Sequence, residues 1–237
     1  MGDRKQLKIV AISDTHSLHR KFDLPEGDVL VHAGDFTARG TRDEFQDFND
    51  WLGDQPHKHK IVVAGNHDLL AERDKDSIPE ILSNCTYLVD SAVEIEGYKF
   101  YGAPWSWSDR GSQWAFKLYG NPAADVWAKI PDDTDVLITH GPPHGYMDEA
   151  PAQYLQFDGP WVNTGDPYLA KRLRDMWQSG KFPQLHIFGH IHEGYGLEML
   201  PKAEEDPSER KRMVLANVAS LTPRYEPLHA PVELILR

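Results

Sequence analysis

Lys8-Ile9-Val10-Ala11-Ile12-Ser13-Asp14-Thr15-His16 is an apolar, β-branched run that ends in two metal-ligating side chains. Ile and Val favour a pleated, buried strand, while Asp and His offer carboxylate oxygen and imidazole nitrogen to divalent cations. Four later stretches repeat the arrangement. Gly34-Asp35, Gly65-Asn66-His67-Asp68, Thr139-His140-Gly141 and Gly189-His190-Ile191-His192 each follow an apolar segment. Ligands of open α/β sheets bind outside the carboxyl ends of the strands. One sheet edge is therefore expected to collect Asp14, His16, Asp35, Asn66, His67, His140, His190 and His192. Side chains at i and i+2 face the same way in extended backbone. The spacing thus predicts extended strand ends at 14–16 and 190–192, with Thr15 and Ile191 turned away and Ile191 packing inward. Glycines at 34, 65, 141 and 189 are expected where the chain passes close to the donors.

Outward from these clusters, strands are predicted at 8–13, 28–33, 60–64, 86–89, 135–139, 185–188, 213–218 and 232–236, with a hairpin joining 93–95 to 99–101. Thr41 predicts the N-cap of a helix over 42–52, which carries Phe45, Phe48, Trp51 and Leu52 on one face. A short helix is expected over 122–129. A longer one is expected over 167–178, with Leu169, Leu173, Met176 and Trp177 as its apolar stripe and Gly180 as its stop. Strand–helix alternation interrupted by a hairpin indicates mixed sheets with helices outside. Two Pro-, Trp- and Gly-rich loops, 103–121 and 141–165, are long enough to suggest function. The charged stretch 201–212 reads as a surface loop.

Composition narrows the chemistry. The chain has 237 residues, 40% hydrophobic and 26% charged, and a formal net charge of −12. A protein that tracks a nucleic-acid backbone carries a basic stripe, so long nucleic acid is not the expected partner. No membrane-spanning run is present, and no apolar leader precedes the first strand. The single cysteine, Cys85, forms no intramolecular disulfide, and the simple expectation is a reducing, cytoplasmic location. Of the 12 histidines, His32 and His186 fall inside predicted strands and read as packed side chains. His57, His59 and His229 read as solvated loop residues, and His19 and His144 lie close behind motifs.

Asp14-x-His16, Gly34-Asp35, Gly65-Asn66-His67-Asp68, His140 and Gly189-His190-x-His192 together resemble the signature of the calcineurin-like metallophosphoesterases. Trp51-Leu52-Gly53, Tyr101-Gly102-Ala103-Pro104-Trp105, Thr139-His140-Gly141-Pro142-Pro143 and His192-Glu193-Gly194-Tyr195-Gly196 are similar to the metallophosphoesterase-domain branch of that family. The resemblance implies one domain over residues 1–237, a four-layer α/β/β/α sandwich of two mixed sheets flanked by helices. It implies two divalent metal ions. Asp14, His16 and His192 would hold one, Asn66, His140 and His190 the other, and Asp35 would bridge them. Ligation by oxygen and nitrogen without thiolate suits manganese, iron or zinc. The implied reaction is phosphoester hydrolysis by a metal-bridging hydroxide, with His67 as general acid.

By the same resemblance the substrate is a small phosphodiester of the cyclic-nucleotide type. A phosphomonoesterase or protein-phosphatase activity, and a non-catalytic nucleotide binder, stay open as alternatives. The protein-phosphatase branch orients its catalytic histidine with an Asp where this chain has Ala38, which leaves the group that orients His67 undefined. Arg39 matches that branch's phosphate-binding arginine, and Trp105 and Tyr195 are further candidates for substrate contact.

Overall fold

The computed structural model describes residues 4–108, 113–151, 160–202 and 212–237. In chain order the elements begin β1 (Leu7–Ile12), β2 (Val29–Ala33), α1 (Arg42–Asp54), β3 (His59–Val63), α2 (Leu69–Arg73), α3 (Ile78–Ile81) and β4 (Thr86–Tyr87). The hairpin β5 (Ser91–Ile95) and β6 (Tyr98–Ala103) follows, then β7 (Ser106–Trp107), β8 (Lys117–Leu118), α4 (Pro122–Trp127) and β9 (Val136–Thr139). The chain continues through β10 (Glu149–Pro151), β11 (Trp161–Asn163), α5 (Pro167–Gln178), β12 (Leu185–Phe188), β13 (Gly196–Leu200), β14 (Met213–Asn217) and β15 (Val232–Leu236).

Two large sheets result. One has the order β15-β1-β2-β3-β4, the other β13-β14-β12-β9-β6-β5. Both are mixed: β1 to β4 run parallel with β15 antiparallel at the edge, and β6, β9, β12 and β14 run parallel between antiparallel β5 and β13. Parallel strands present their carboxyl ends on one side, so the loops after β1, β2, β3, β9 and β12 emerge together.

Alternation within the strands builds the layers. Leu7, Ile9 and Ala11 of β1 and Val29 and Val31 of β2 pack with Phe100, Ile138, Ile187 and Ala216 of the other sheet in one core. Val10, Ile12 and Leu30, on the opposite faces of the same strands, pack with Phe45, Phe48, Trp51 and Leu52 of α1. Leu137, Phe188 and Leu215 cover the far side with Trp127 of α4 and Leu169, Leu173 and Met176 of α5. This is the α/β/β/α sandwich. Full burial of a side chain such as Phe48 contributes ~1.5–3 kcal/mol, so helix docking rests on these stripes more than on intrinsic propensity.

Local capping sets the helix starts, as expected at Thr41 and without a sequence-based expectation at Asp166. Thr41 and Glu44 form a reciprocal capping box on α1. The Asp166 carboxylate accepts the backbone N–H groups of Tyr168 and Leu169 at the start of α5. The short helix predicted over 122–129 ends at Trp127. Of the loops singled out in the sequence, 109–112, 152–159 and 203–211 lie outside the described residues. Among the described residues no helix is long and apolar enough to cross a membrane.

Candidate metal centre

The two sheets are tied at the end where the donors gather. Ser13, the residue after β1, bridges Ala219 in parallel, and the Ser220 N–H donates to the Ser13 carbonyl at 2.8 Å. The loops after β1 and β2 are also joined: the Asp14 N–H donates to the Gly34 carbonyl at 2.9 Å, and the His16 N–H to the Asp35 carbonyl at 3.0 Å.

These strand ends are not extended. Asp14, His16, Asp35 and His190 have φ of 53°, 41°, 53° and 70°. Non-glycine residues rarely occupy this left-handed region, and such strain clusters at functional sites. The expectation that extended backbone aligns the i and i+2 donors is therefore corrected. Tight left-handed turns do so instead. Thr15 and Ile191 are buried away from the donors as expected, with the Thr15 hydroxyl 3.0 Å from His32 Nε2.

The donors form adjoining clusters. Asp14, His16 and His192 make one, Asp35, His140 and His190 a second, and His16, Asp35 and His67 a third, each with ligand atoms within 4.8 Å of one another. Asp35 Oδ2 lies 3.4 Å from His140 Nε2 and 3.9 Å from His16 Nε2, so this carboxylate faces both sides. Its Oδ1 accepts the His67 N–H at 2.7 Å. Asn66 Oδ1 is 3.1 Å from His140 Nε2. Asp14 Oδ2 accepts the Ser13 hydroxyl at 2.6 Å and the His190 N–H at 2.9 Å, while Oδ1 lies 3.5 Å from His192 Nε2.

Close packing demands the glycines here. A Cβ on Gly65 would overlap Asp35 Oδ1, and one on Gly189 would overlap Asp14 Oδ2 and the Ser13 side chain.

Two observations fit the set to divalent cations. Asp14 Oδ1 and His16 Nε2 are buried and without a hydrogen-bond partner, an arrangement that costs about 1–3 kcal/mol per group unless something compensates. In addition, His140 and His192 each place Nδ1 on a backbone carbonyl, of Ala33 at 3.0 Å and Thr222 at 3.1 Å, and leave Nε2 facing the carboxylates. Metal-binding histidines are held in this way.

The electrostatics follow from burial among opposite charges. Burial raises the Asp14 carboxyl, but the neighbouring His192 and His140 outweigh it and hold the group well below the usual range. Asp35 is lowered in the same way by His140 and His16, against its burial. Burial opposes the charge on His140, yet Asp35 brings it up to about 9. His16 goes the other way: burial outweighs Asp35 and Asp14 and lowers it to about 4.

His67 stands at the rim of these clusters. Its Nδ1 lies 2.9 Å from the Ala38 carbonyl, which supplies the orienting group that was missing from the sequence. Asp68 does not serve His67. It accepts the Gly65 N–H at 2.7 Å, the Thr37 N–H at 2.9 Å and the Thr37 hydroxyl at 2.7 Å, and so binds the loop after β3 to the loop after β2.

The three substrate candidates are placed differently. Arg39 is exposed. The Trp105 indole N–H donates to Asp90 at 2.8 Å and its ring packs edge-on to Phe116. Tyr195 stacks on His229 at 4.2 Å and donates its hydroxyl to the Ala230 carbonyl at 2.8 Å.

Tyr225 and Lys117, beside the donors, escaped the sequence reading, and Trp114 was legible there only as one of the tryptophans of the loop 103–121. Tyr225, at φ 61°, sets its ring 5.1 Å from His16 and 5.3 Å from His192. Lys117 Nζ lies 3.3 Å from His190 Nε2, and burial draws that ammonium down to about 8. Trp114 stacks on His67 with ring centroids 4.1 Å apart. Each arrives from a loop or from the two-residue strand β8, where no periodicity or donor motif marks it. The remaining histidines divide unevenly. His32 and His186 are packed, as expected. His57 is buried rather than solvated, with Nε2 3.0 Å from the Pro25 carbonyl.

A two-sheet sandwich with Asp, Asn and His donors clustered at its strand ends defines a metal-dependent phosphoester hydrolase. The calcineurin-like phosphoesterase family profile matches residues 7–194, which hold every donor named above, and the chain belongs to that family. It is 35% identical over 253 residues to the human Metallophosphoesterase domain-containing protein 1, covering 97% of this chain and 71% of the relative. A UPF0046 protein of Caenorhabditis elegans is 41% identical over 209 residues, covering 81% of this chain and 65% of the relative. Among solved structures, TT1561 of Thermus thermophilus superposes with a TM-score of 0.58 at 12% identity, covering 98% of this chain and 100% of that one, a likeness of fold.

Proposed function

We propose that the chain hydrolyses small phosphodiesters of the nucleotide type, cyclic ones included, with two divalent ions and His67 as general acid. The observation that carries this reading is the shared carboxylate: Asp35 Oδ2 faces His140 at 3.4 Å and His16 at 3.9 Å, between two donor sets. Asp14, His16 and His192 would hold one ion, Asn66, His140 and His190 the other, and Asp35 both. Divalent ions so held, manganese, iron or zinc by donor type, supply Lewis acidity to the phosphoryl oxygens and a water of lowered pKa.

The chain's own residues do the rest. The Ala38 carbonyl accepts a hydrogen bond from His67 Nδ1–H, which leaves Nε2 to carry the transferable proton. As the water oxygen bonds to phosphorus and the bond to the departing oxygen breaks, the Nε2 proton passes to that oxygen. The water's surplus proton goes to solvent. A diester brings one negative charge and a monoester two. Lys117 sets a cation against the donors, at His190, and the chain is acidic overall, at −12. The acidic balance favours the singly charged ester, whereas the Lys117 cation on its own would favour the doubly charged one.

Turnover of bis(p-nitrophenyl) phosphate and p-nitrophenyl phosphate by metal-loaded protein, with metal content measured, tests the reading. Two equivalents of metal and a diester preference are expected. A clear monoester preference overturns the diesterase reading, and metal-independent turnover overturns all of it.

A further inference from the structure

We propose that the concavity lined by Leu69, Arg73, Gln113 and Trp114 is the subsite for the departing half of the ester, and that it takes a planar ring such as a nucleobase. The inference rests on the reading of His67 as the residue that protonates the departing oxygen.

His67 has two ring neighbours of different kinds. The His16 ring meets it edge-on at 4.5 Å, on the side of the donor clusters. The Trp114 indole lies over it at 4.1 Å, with 28° between the planes. The departing oxygen must come within hydrogen-bond reach of His67, and its carbon substituent must extend away from the donors. Trp114 is the ring neighbour of His67 that lies outside the donor set. The concavity there measures about 410 Å³, within the range of small-molecule sites. Two of its lining residues among those described touch His67 directly: Trp114 through its ring, and Leu69, whose N–H donates to the His67 carbonyl at 2.8 Å.

Its chemistry matches a ring with polar edges. Trp114, stacked on His67, keeps 44% of its surface exposed and lines the concavity. Leu69 adds an aliphatic wall. The Arg73 guanidinium and Gln113 amide can bond ring carbonyls, ring nitrogens or a sugar hydroxyl. Stacking on an aromatic side chain tolerates any base, so the subsite would select for a planar group rather than for one nucleotide.

Trp114→Leu and Trp114→Phe, each checked for unchanged metal content and thermal midpoint, test the proposal. Two diesters are compared: bis(p-nitrophenyl) phosphate, whose departing group is a ring, and a phosphorothiolate diester that releases ethanethiol. Trp114→Leu should raise KM for the aryl ester about five- to a hundredfold, leave the ethylthio ester nearly unchanged, and be rescued in part by Phe. A loss of kcat on the ethylthio ester that exceeds the loss on the aryl ester, with KM for the aryl ester unchanged, would mean that Trp114 only holds His67, and overturns the subsite. Adenosine binding to metal-loaded protein, read by calorimetry, is independent of turnover. Adenosine should bind wild type and lose at least about fivefold in Trp114→Leu; no binding, or equal binding, overturns the proposal even where hydrolysis is confirmed. Absence of hydrolysis with adenosine binding that depends on Trp114 would instead overturn the catalytic reading and leave the ring subsite standing.

Discussion

His67 Nδ1 lies 2.9 Å from the carbonyl oxygen of Ala38, so a backbone group orients this imidazole. A carbonyl fixes the tautomer without adding a negative charge beside Asp35 and Asp14, which are already crowded. Positioned general acids contribute ~10²–10⁴-fold. His67→Ala is expected to lower kcat by about that factor on esters with alkoxide leaving groups, and by much less on nitrophenyl esters, whose anions leave unaided. Metal content should not change. Equal losses on both ester types would remove proton donation from His67.

Asp68 holds the site's scaffold. Its carboxylate takes three donors from Gly65 and Thr37 in a fully buried position. Asp68→Ala strands those donors, each worth about 1–3 kcal/mol when buried and unpaired. A loss of roughly 3 kcal/mol in urea-unfolding stability is expected, with weakened metal binding because Asp35 and Asn66 sit on the two loops it joins. A variant as stable as wild type would contradict this account.

Gly189 admits no side chain, because a Cβ would overlap Asp14 Oδ2 and the side chain of Ser13. Overpacking costs about 1–3 kcal/mol, and a displaced ligand shell about 10–100-fold in metal affinity. Gly189→Ala should therefore show both in calorimetric metal titration and thermal unfolding. Gly53→Ala, which meets chiefly the movable Asn84 side chain, serves as the mild comparison.

Stability should fall in acid through two histidines outside the donor set. Burial lowers His32 and His186 to about 3, from an ordinary 6.5. His186 Nε2 lies 2.8 Å from the Thr139 hydroxyl, just before His140, and His32 serves Thr15 at 3.0 Å, between Asp14 and His16. A histidine with a lowered folded pKa contributes stability that is fully present above 6.5 and is lost as pH falls toward 3. Between about pH 7 and pH 5 each should cost on the order of 1–2 kcal/mol of unfolding free energy. Urea midpoints of wild type and His186→Gln across that interval check the slope. The variant should be less stable in the neutral range and less sensitive to acid, and an unchanged slope would refute the assignment.

Much of this was legible before any coordinates. The parallel strands carry β-branched runs, α1 carries a cap, α5 carries a stripe and a stop, and the donor types stand at the strand ends in order. Other features left no mark. β13 reads Gly-Leu-Glu-Met-Leu, with Leu197 and Met199 exposed, and becomes a strand because β14 offers it an edge to pair with. His57 looks like a solvated loop residue until the Pro25 carbonyl and neighbouring chain enclose it.

The sequence by itself determined which atoms can bind a cation and that they would stand at the carboxyl ends of strands, but it read those strands as one sheet edge where the structure has two sheets. Strand polarity and side-chain chemistry are local properties of the chain, and they suffice for the donors and their places at strand ends. The tertiary structure decided how the donors are aimed. Left-handed turns at Asp14, His16, Asp35 and His190, and the carbonyls of Ala33, Ala38 and Thr222 behind His140, His67 and His192, set the working nitrogens. A backbone carbonyl is the same at every residue type, so no substitution pattern announces it. Only the approach of distant segments makes it a partner.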